Sequence, residues 1–356
     1  MKILVLRFSS IGDIVLTTPV VRALKQQVPG AVVHYCTKPA YRGLLEANPY
    51  VDKVHTLSGT LGELVRELKQ ERFDFVVDLH RNLRTRLLKV RLGVPGAAFD
   101  KLNWQKWLKV NLKWDVLPRT HIVQRYLQAA APLGVRDDGR GLDYFIPAGQ
   151  EVNVAETLPP GFQRGYVAFA IGAQHATKRL PVERIIELCA QLRRPVVLLG
   201  GPEDESTGHV VELHFEHADG PAEPAGITPA AVSARAHYFD KNALPPTQTL
   251  IYNACGRFSL HQSASLVRQA QLVISHDTGL MHIAAAFRKE IFSVWGNTVP
   301  EFGMYPYRTE FRVLEVEGLG CRPCSKIGFE KCPQGHFRCM RDIRFDLDLP
   351  PWRDAR

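Results

Sequence analysis

Nowhere in these 356 residues does an uninterrupted apolar stretch approach the eighteen or so that a membrane-spanning helix needs. The start is not a secretory leader either. Ile3 to Leu6 is apolar, but Arg7 and Asp13 interrupt it too soon for the core of a signal peptide. The expected location is therefore the cytoplasm. Seven cysteines are an odd number for a disulfide framework, and a reducing compartment argues against one. The two halves of the chain share no obvious repeat. No Asp-x-Asp pair of the kind that holds Mg²⁺ between phosphates stands in a motif context: Asp346 and Asp348 lie in the tail, and Asp137-Asp138 adjoin a linker.

What is present suits two cores. The chain exceeds one comfortable domain, and a hydrophobic fraction of 45% is ordinary for a globular protein. A formal charge of +9 points to an anionic partner such as phospholipid, phosphorylated glycolipid or nucleic acid, without choosing among them. Cys36, Cys189 and Cys255 sit in apolar stretches and read as core residues.

The pattern alternates strand and helix. Strands are expected from Ile3 to Leu6, Val32 to Cys36, Val54 to Leu57 and Phe73 to Leu79. Between them, Ile14, Val15, Val21, Leu24 and Val28 share a helical face, with further helices near Tyr41 to Ala47 and from Leu61 to Lys69. The alternation restarts with strands from Tyr166 to Ile171, Pro195 to Leu199, Leu272 to Ser275 and Ile291 to Trp295. Helices from Pro181 to Leu192, Ser263 to Gln269 and Leu280 to Phe287 separate them. Such an order predicts α/β domains with parallel sheets. Pro and Gly concentrate between Pro147 and Gly165, which places the domains at 1–160 and 161–356. Residues 206–249 are rich in His, Ala and Pro with weak periodicity, and read as an inserted surface excursion.

Four strand-end loops carry the candidate chemistry, because open α/β sheets place ligands beyond the carboxyl ends of their strands. In Ser9-Ser10-Ile11-Gly12-Asp13, small residues allow a sharp turn and Asp13 opens a helix; it either caps that helix or takes a proton from an attacking hydroxyl. In Ser275-His276-Asp277-Thr278-Gly279-Leu280-Met281-His282, free amides at a helix start suit a phosphate. Asp277 can hold sugar hydroxyls, and His282 either meets the leaving phosphate or packs beneath the turn. Gly172 to Arg179 brings Lys178 as a charge for a diphosphate, or is a solvated loop with incidental cations. Gly200 to Glu205 brings Glu203 and Glu205, as ribose-diol ligands or as helix-start decoration.

Three segments carry a family resemblance: Ile3 to Pro19 (ILVLRFSSIGDIVLTTP), Phe73 to Arg86 (FDFVVDLHRNLRTR), and Ala254 to Phe287, which contains HDTGLMH. They resemble glycosyltransferase family 9, the bacterial heptosyltransferases and their relatives, and they span both ends of the chain. The resemblance implies a GT-B fold, two Rossmann-like domains facing each other across a cleft, with the donor held mainly by the C-terminal one. It implies an inverting transfer that needs no metal cofactor. The sugar would pass from a nucleotide-diphosphate donor of the ADP-heptose type to a lipid-linked saccharide in lipopolysaccharide or cell-envelope glycan assembly. By that likeness Asp13 is the general base. Lys178 contacts the diphosphate, Asp277, Thr278 and Gly279 the donor sugar and phosphates, and Glu203 or Glu205 the ribose. The chain departs from the pattern in its longer excursion and in the missing final helix between Arg344 and Arg356.

Two features remain. Arg81, Arg84, Arg86, Lys89 and Arg91 are followed by Lys101, Trp104, Lys106, Trp107, Lys113 and Trp114. Tryptophans among cations fit a headgroup surface, nucleic acid uses the same residue types, and a cationic helix with its rings in the core is the plain alternative. Given the resemblance, Arg81, Arg84, Lys101, Trp104 and Trp107 are assigned to the acceptor and an anionic membrane rather than to nucleic acid. The enzyme is then expected at the inner face of the cytoplasmic membrane. Cys321, Cys324, Cys332 and Cys339 form a Cys-x2-Cys-x7-Cys-x6-Cys array, a structural zinc site or a set of plain thiols. The rival readings of the whole chain are a sugar-nucleotide epimerase of the same fold and a non-enzymatic nucleic-acid-binding protein.

Overall fold

The computed structural model describes residues 1–216, 249–349 and 351. Two all-parallel sheets organise them. The first has five strands in the order β3-β2-β1-β4-β5: β1 Lys2–Leu6, β2 Val32–Thr37, β3 Lys53–Thr56, β4 Phe75–Asp78 and β5 Gly96–Ala98. The second has six in the order β11-β10-β9-β6-β7-β8: β6 Val167–Ala170, β7 Val196–Leu199, β8 Ile251–Asn253, β9 Leu272–His276, β10 Ile291–Trp295 and β11 Phe311–Glu315. Central strands carry apolar side chains on both faces because helices cover both; β1 and β6 are buried almost throughout.

The chain is thus α/β with two facing sheets. The helical face expected from Ile14 to Val28 belongs to two helices, Ile11–Val15 and Thr18–Gln27, since Pro19 suits only the first turn of a helix and starts the second one. Short strands β5, β8 and β11 escaped the pattern. The front of the supposed excursion is a helix, Glu205–Glu216, which buries Val211 and Phe215 against the second core. The rest of the 206–249 segment, residues 217–248, lies outside the described residues. The tail from Arg344 to Leu349 has no helix, although Phe345 packs into the core.

The two lobes touch through more than the linker. The Ile122 amide donates to the Gly303 carbonyl (2.9 Å), a His121 ring nitrogen lies 2.9 Å from the Tyr305 carbonyl, and Arg308 pairs with Asp137 at 2.7 Å. Buried Arg22 is held by Asp138 (2.7 Å) and by Asp143.

Candidate active site

Between the sheets lies a cavity of 940 Å³, walled by both lobes. Much of its lining comes from residues at or just after the carboxyl ends of β1, β4, β6, β9 and β10. Asp13, Lys178, Asp277, Thr278, Gly279, His282 and Lys101 all line it. Three of the four loops singled out in the sequence therefore meet in one space.

Asp13 stands in the first turn of Ile11–Val15, and both of its sequence readings are visible. Its Oδ2 accepts from the Ser10 amide (3.2 Å), half of a capping box, and from the Ser10 hydroxyl (3.0 Å). The same oxygen lies 2.6 Å from the Arg7 guanidinium. Oδ1 makes no hydrogen bond among the described residues, which leaves it facing solvent or ligand. Burial alone would push the carboxyl up. The Arg7 charge and the Ser10 hydrogen bonds outweigh it, and Asp13 is held below the usual carboxylate range.

Arg7 was not recognised as a site residue in the sequence. Nearly buried, it donates to the carbonyls of Ser9 (2.7 Å) and Leu79 (2.6 Å) and to the Tyr126 hydroxyl (3.0 Å). Its four partners fix it where β1 ends, so it orients the carboxylate as a rigid fork.

Across the cavity, Lys178 Nζ contacts Asp277 Oδ2 at 2.5 Å, and the Thr298 hydroxyl donates to the same oxygen at 3.0 Å. Thr278 stands at the N-cap position of the helix Gly279–Ala286 without a side-chain capping bond, and the first amides of that helix have no intrahelical partner. His282 is buried on that helix. Burial first, against the opposing carboxylates Asp277 and Asp13, brings its imidazole down to about 4, so it is neutral at pH 7. His80, behind Asp13, is likewise lowered to about 4 by burial and then by Arg7. His80 Nδ1, His282 Nδ1 and Trp295 Nε1 all line this space or sit behind it, without a partner among the described residues. Buried polar atoms left open in a cavity wall are positions for ligand or water.

Glu203 and Glu205 are not brought to the cavity. Both are exposed at the start of Glu205–Glu216, and the acid that turns inward is Asp204, pairing with Arg179 at 3.3 Å and accepting from the Gly201 amide at 3.0 Å. The small turn at Gly200-Gly201 has no room for more: a Cβ on Gly200 would stand 2.7 Å from the Asp204 Cβ.

Of the basic aromatic residues, Lys101 lines the cavity together with Asn103 and Lys106, whereas Arg81, Arg84, Trp104 and Trp107 do not. Lys106 lies 5.6 Å over the Phe302 ring; burial first, then the Arg125 charge, lowers its ammonium to about 8. Trp104, Trp107 and Trp114 are exposed rather than in the core, with the first two rings stacked 5.3 Å apart.

The cysteine segment contributes through its backbone path: Ser325, Lys326 and Ile327, just after Cys324, line the cavity. As placed, no three of the four sulfurs lie within 4.8 Å of one another. Zinc–sulfur bonds of about 2.3 Å bring sulfurs within about 4 Å of one another. Among the described residues, the one group of three or more ligand atoms within 4.8 Å is His34, His55 and Glu71. Hydrogen bonds hold the path of the cysteine loop. Arg322 donates to the carbonyls of Gly296 (2.5 Å), Val316 (2.7 Å) and Thr298 (2.9 Å), and Lys113 to those of Cys321 (3.2 Å) and Pro323 (2.8 Å).

The chain is similar to known proteins over most of its length. The model of "Glycosyltransferase family 9 (heptosyltransferase)" matches residues 61–219 and 234–332. Lipopolysaccharide heptosyltransferase 2 of Escherichia coli (strain K12) is 22% identical over 326 residues, 85% of this chain and 84% of that one. The solved family 9 glycosyltransferase of Veillonella parvula DSM 2008 has a TM-score of 0.65 at 24% identity, over 88% of this chain and 86% of that one. The structure of E. coli ADP-heptose LPS heptosyltransferase II has a TM-score of 0.63 at 21% identity, over 96% and 98%.

Proposed function

Because the chain belongs to glycosyltransferase family 9, we propose that it transfers a heptosyl group from an ADP-heptose-type donor to a lipid-linked saccharide of the cell envelope, with inversion at the anomeric carbon. The observation that carries this reading is the shared cavity: a carboxylate from one lobe faces a cation, a neutral histidine and a helix N-terminus from the other. Heptose and ADP are suggested by the names of the relatives.

In the step proposed, the acceptor hydroxyl gives its proton to Asp13 Oδ1 while its oxygen forms the new bond to the anomeric carbon. The bond from that carbon to the diphosphate oxygen breaks, and its electron pair leaves with the nucleoside diphosphate. Lys178 and the free amides at Gly279–Ala286 meet the charge that grows on the leaving group. Arg7 keeps Asp13 ionised at neutral pH, and Oδ1 is its only oxygen not already engaged.

Catalysis without a divalent cation is part of the proposal. It is supported by the lining, whose two carboxylates, Asp13 and Asp277, are each already paired with a cation. On the acceptor side, Lys101 and Lys106 suit phosphate groups of a lipid-linked saccharide. No helix among the described residues is long and apolar enough to cross a membrane, so a lipid-linked acceptor would be met at the membrane surface. Release of ADP from ADP-heptose, assayed with the delipidated acceptor saccharide and with EDTA present, tests the reading. Transfer that persists in EDTA supports it; no transfer from any nucleotide heptose overturns it.

A further inference from the structure

The helix Leu83–Leu92 is apolar on two opposite sides. Thr85 and Leu88 are buried, and Leu92 packs with Leu88 in the core of the first lobe. At about 100° per residue, Leu83, Leu87 and Val90 fall together on the far side, and they are 72%, 41% and 73% exposed. Arg86 borders this outward stripe on one side, Arg84 and Arg91 on the other. The neighbouring cations are spoken for: Lys89 pairs with Asp78 at 3.2 Å and Arg81 with Asp100 at 2.9 Å. Arg84, Arg86 and Arg91 make no ion pair among the described residues, and no acidic residue occurs from Leu79 to Phe99.

An outward apolar stripe between unpaired cations is the pattern of a helix lying in a membrane interface. Its aliphatic side chains enter the acyl boundary and its guanidinium groups meet lipid phosphates. A second copy of the chain fits poorly, because a symmetric contact would set these arginines against their own counterparts with no acid to separate them. Nucleic acid fits poorly too, since the stripe is aliphatic and offers no ring for a base to stack on.

We propose that Leu83–Leu92 is the element that docks the protein on an anionic bilayer, stripe inward and arginines at the headgroups. The proposal deepens the reading of a lipid-linked acceptor by naming the surface that reaches the membrane, but it stands on the helix alone.

The test is flotation of the full chain with vesicles of phosphatidylglycerol and phosphatidylcholine, against vesicles of phosphatidylcholine only. Wild-type protein is expected to float with the anionic vesicles and not with the neutral ones. Combined Leu83→Ser, Leu87→Ser and Val90→Ser should lower that partition by about tenfold or more, as should combined Arg84→Gln, Arg86→Gln and Arg91→Gln. The serine variant changes only exposed positions, so its melting temperature and its transfer to a delipidated saccharide should match wild type. The proposal is overturned if wild type stays in the supernatant or if the serine variant floats as well as wild type. It is also overturned if the protein is a dimer that this variant makes monomeric with vesicle binding intact. Vesicle binding that follows the proposal while no acceptor is ever glycosylated would sink the functional reading alone.

Discussion

The imidazole of His282 occupies the place a side chain on Gly12 would need: a Cβ there would stand 2.6 Å from His282 Cδ2 and 3.3 Å from the Gly279 Cα. The relation is reciprocal, since a Cβ on Gly279 would meet Ile11 at 2.8 Å. Each lobe presents a glycine so that the other can approach, and the turn that carries Asp13 is seated directly on the helix Gly279–Ala286.

Gly12→Ala should therefore act as a wedge. His282 is buried and has little room to yield, so the cost is about 1–3 kcal/mol, as for other overpacked sites. A lower melting temperature and a raised donor KM are expected together. If the alanine variant matches wild type in both, the close seating of the lobes carries no weight.

If Lys106 meets acceptor phosphate as proposed, it sets a pH dependence there. Its ammonium is lowered to about 8, so it is charged at pH 7 and loses its proton as pH rises through 8. The KM for a phosphorylated acceptor should rise across that range while donor KM stays flat. Lys106→Arg should move the rise to higher pH, because a guanidinium does not discharge there. Lys106→Gln should give a high, pH-independent KM. A wild-type acceptor KM that is flat from pH 7 to 9 would remove Lys106 from acceptor binding.

How legible was this site beforehand? The turn at Ser9 to Asp13 and the HDTGLMH segment could be read because each joins a strand of obvious apolar character to a helix start, and position relative to the strand end does the rest. Arg7 could not be recognised, since nothing local shows that its partners are Leu79 and Tyr126, far along the chain. Glu203 and Glu205 were misplaced by a turn whose direction only packing decides; Asp204 between them faces inward. The helix Leu83–Leu92 was missed because two opposite apolar faces leave no single hydrophobic side for a periodicity to reveal. Ser325 to Ile327 reach the cavity on a loop without regular structure, held by its own Arg322 reaching out to Gly296 and Thr298 and by Lys113 from far along the chain. Strands β5 and β8, three residues each, are too short to show alternation.

The cysteine loop offers a clean elemental test. With no three of its sulfurs within 4.8 Å of one another and its path fixed by Arg322 and Lys113, protein purified without added metal should carry well under one zinc per chain. Chelation should leave its melting temperature unchanged. Burial pushes the Cys339 thiol up to about 12, so it should react with thiol reagents far more slowly than Cys321 and Cys332, which are only half-buried. One tightly held metal ion per chain would show that the four sulfurs close around it.

The central claim is that Asp13 removes the acceptor proton. Asparagine is nearly the same size, caps helices well and can still accept from Ser10 and Arg7, so Asp13→Asn removes the charge and the basicity while preserving the turn. Turnover should be measured at saturating donor and acceptor, beside ADP affinity and thermal unfolding of the same preparations. The account predicts turnover lower by roughly 10²–10⁴-fold, with ADP affinity and a cooperative unfolding transition retained. Near-wild-type turnover in a folded Asp13→Asn protein would contradict it and return Asp13 to a capping role, with His80, neutral and open at Nδ1, the next residue to test.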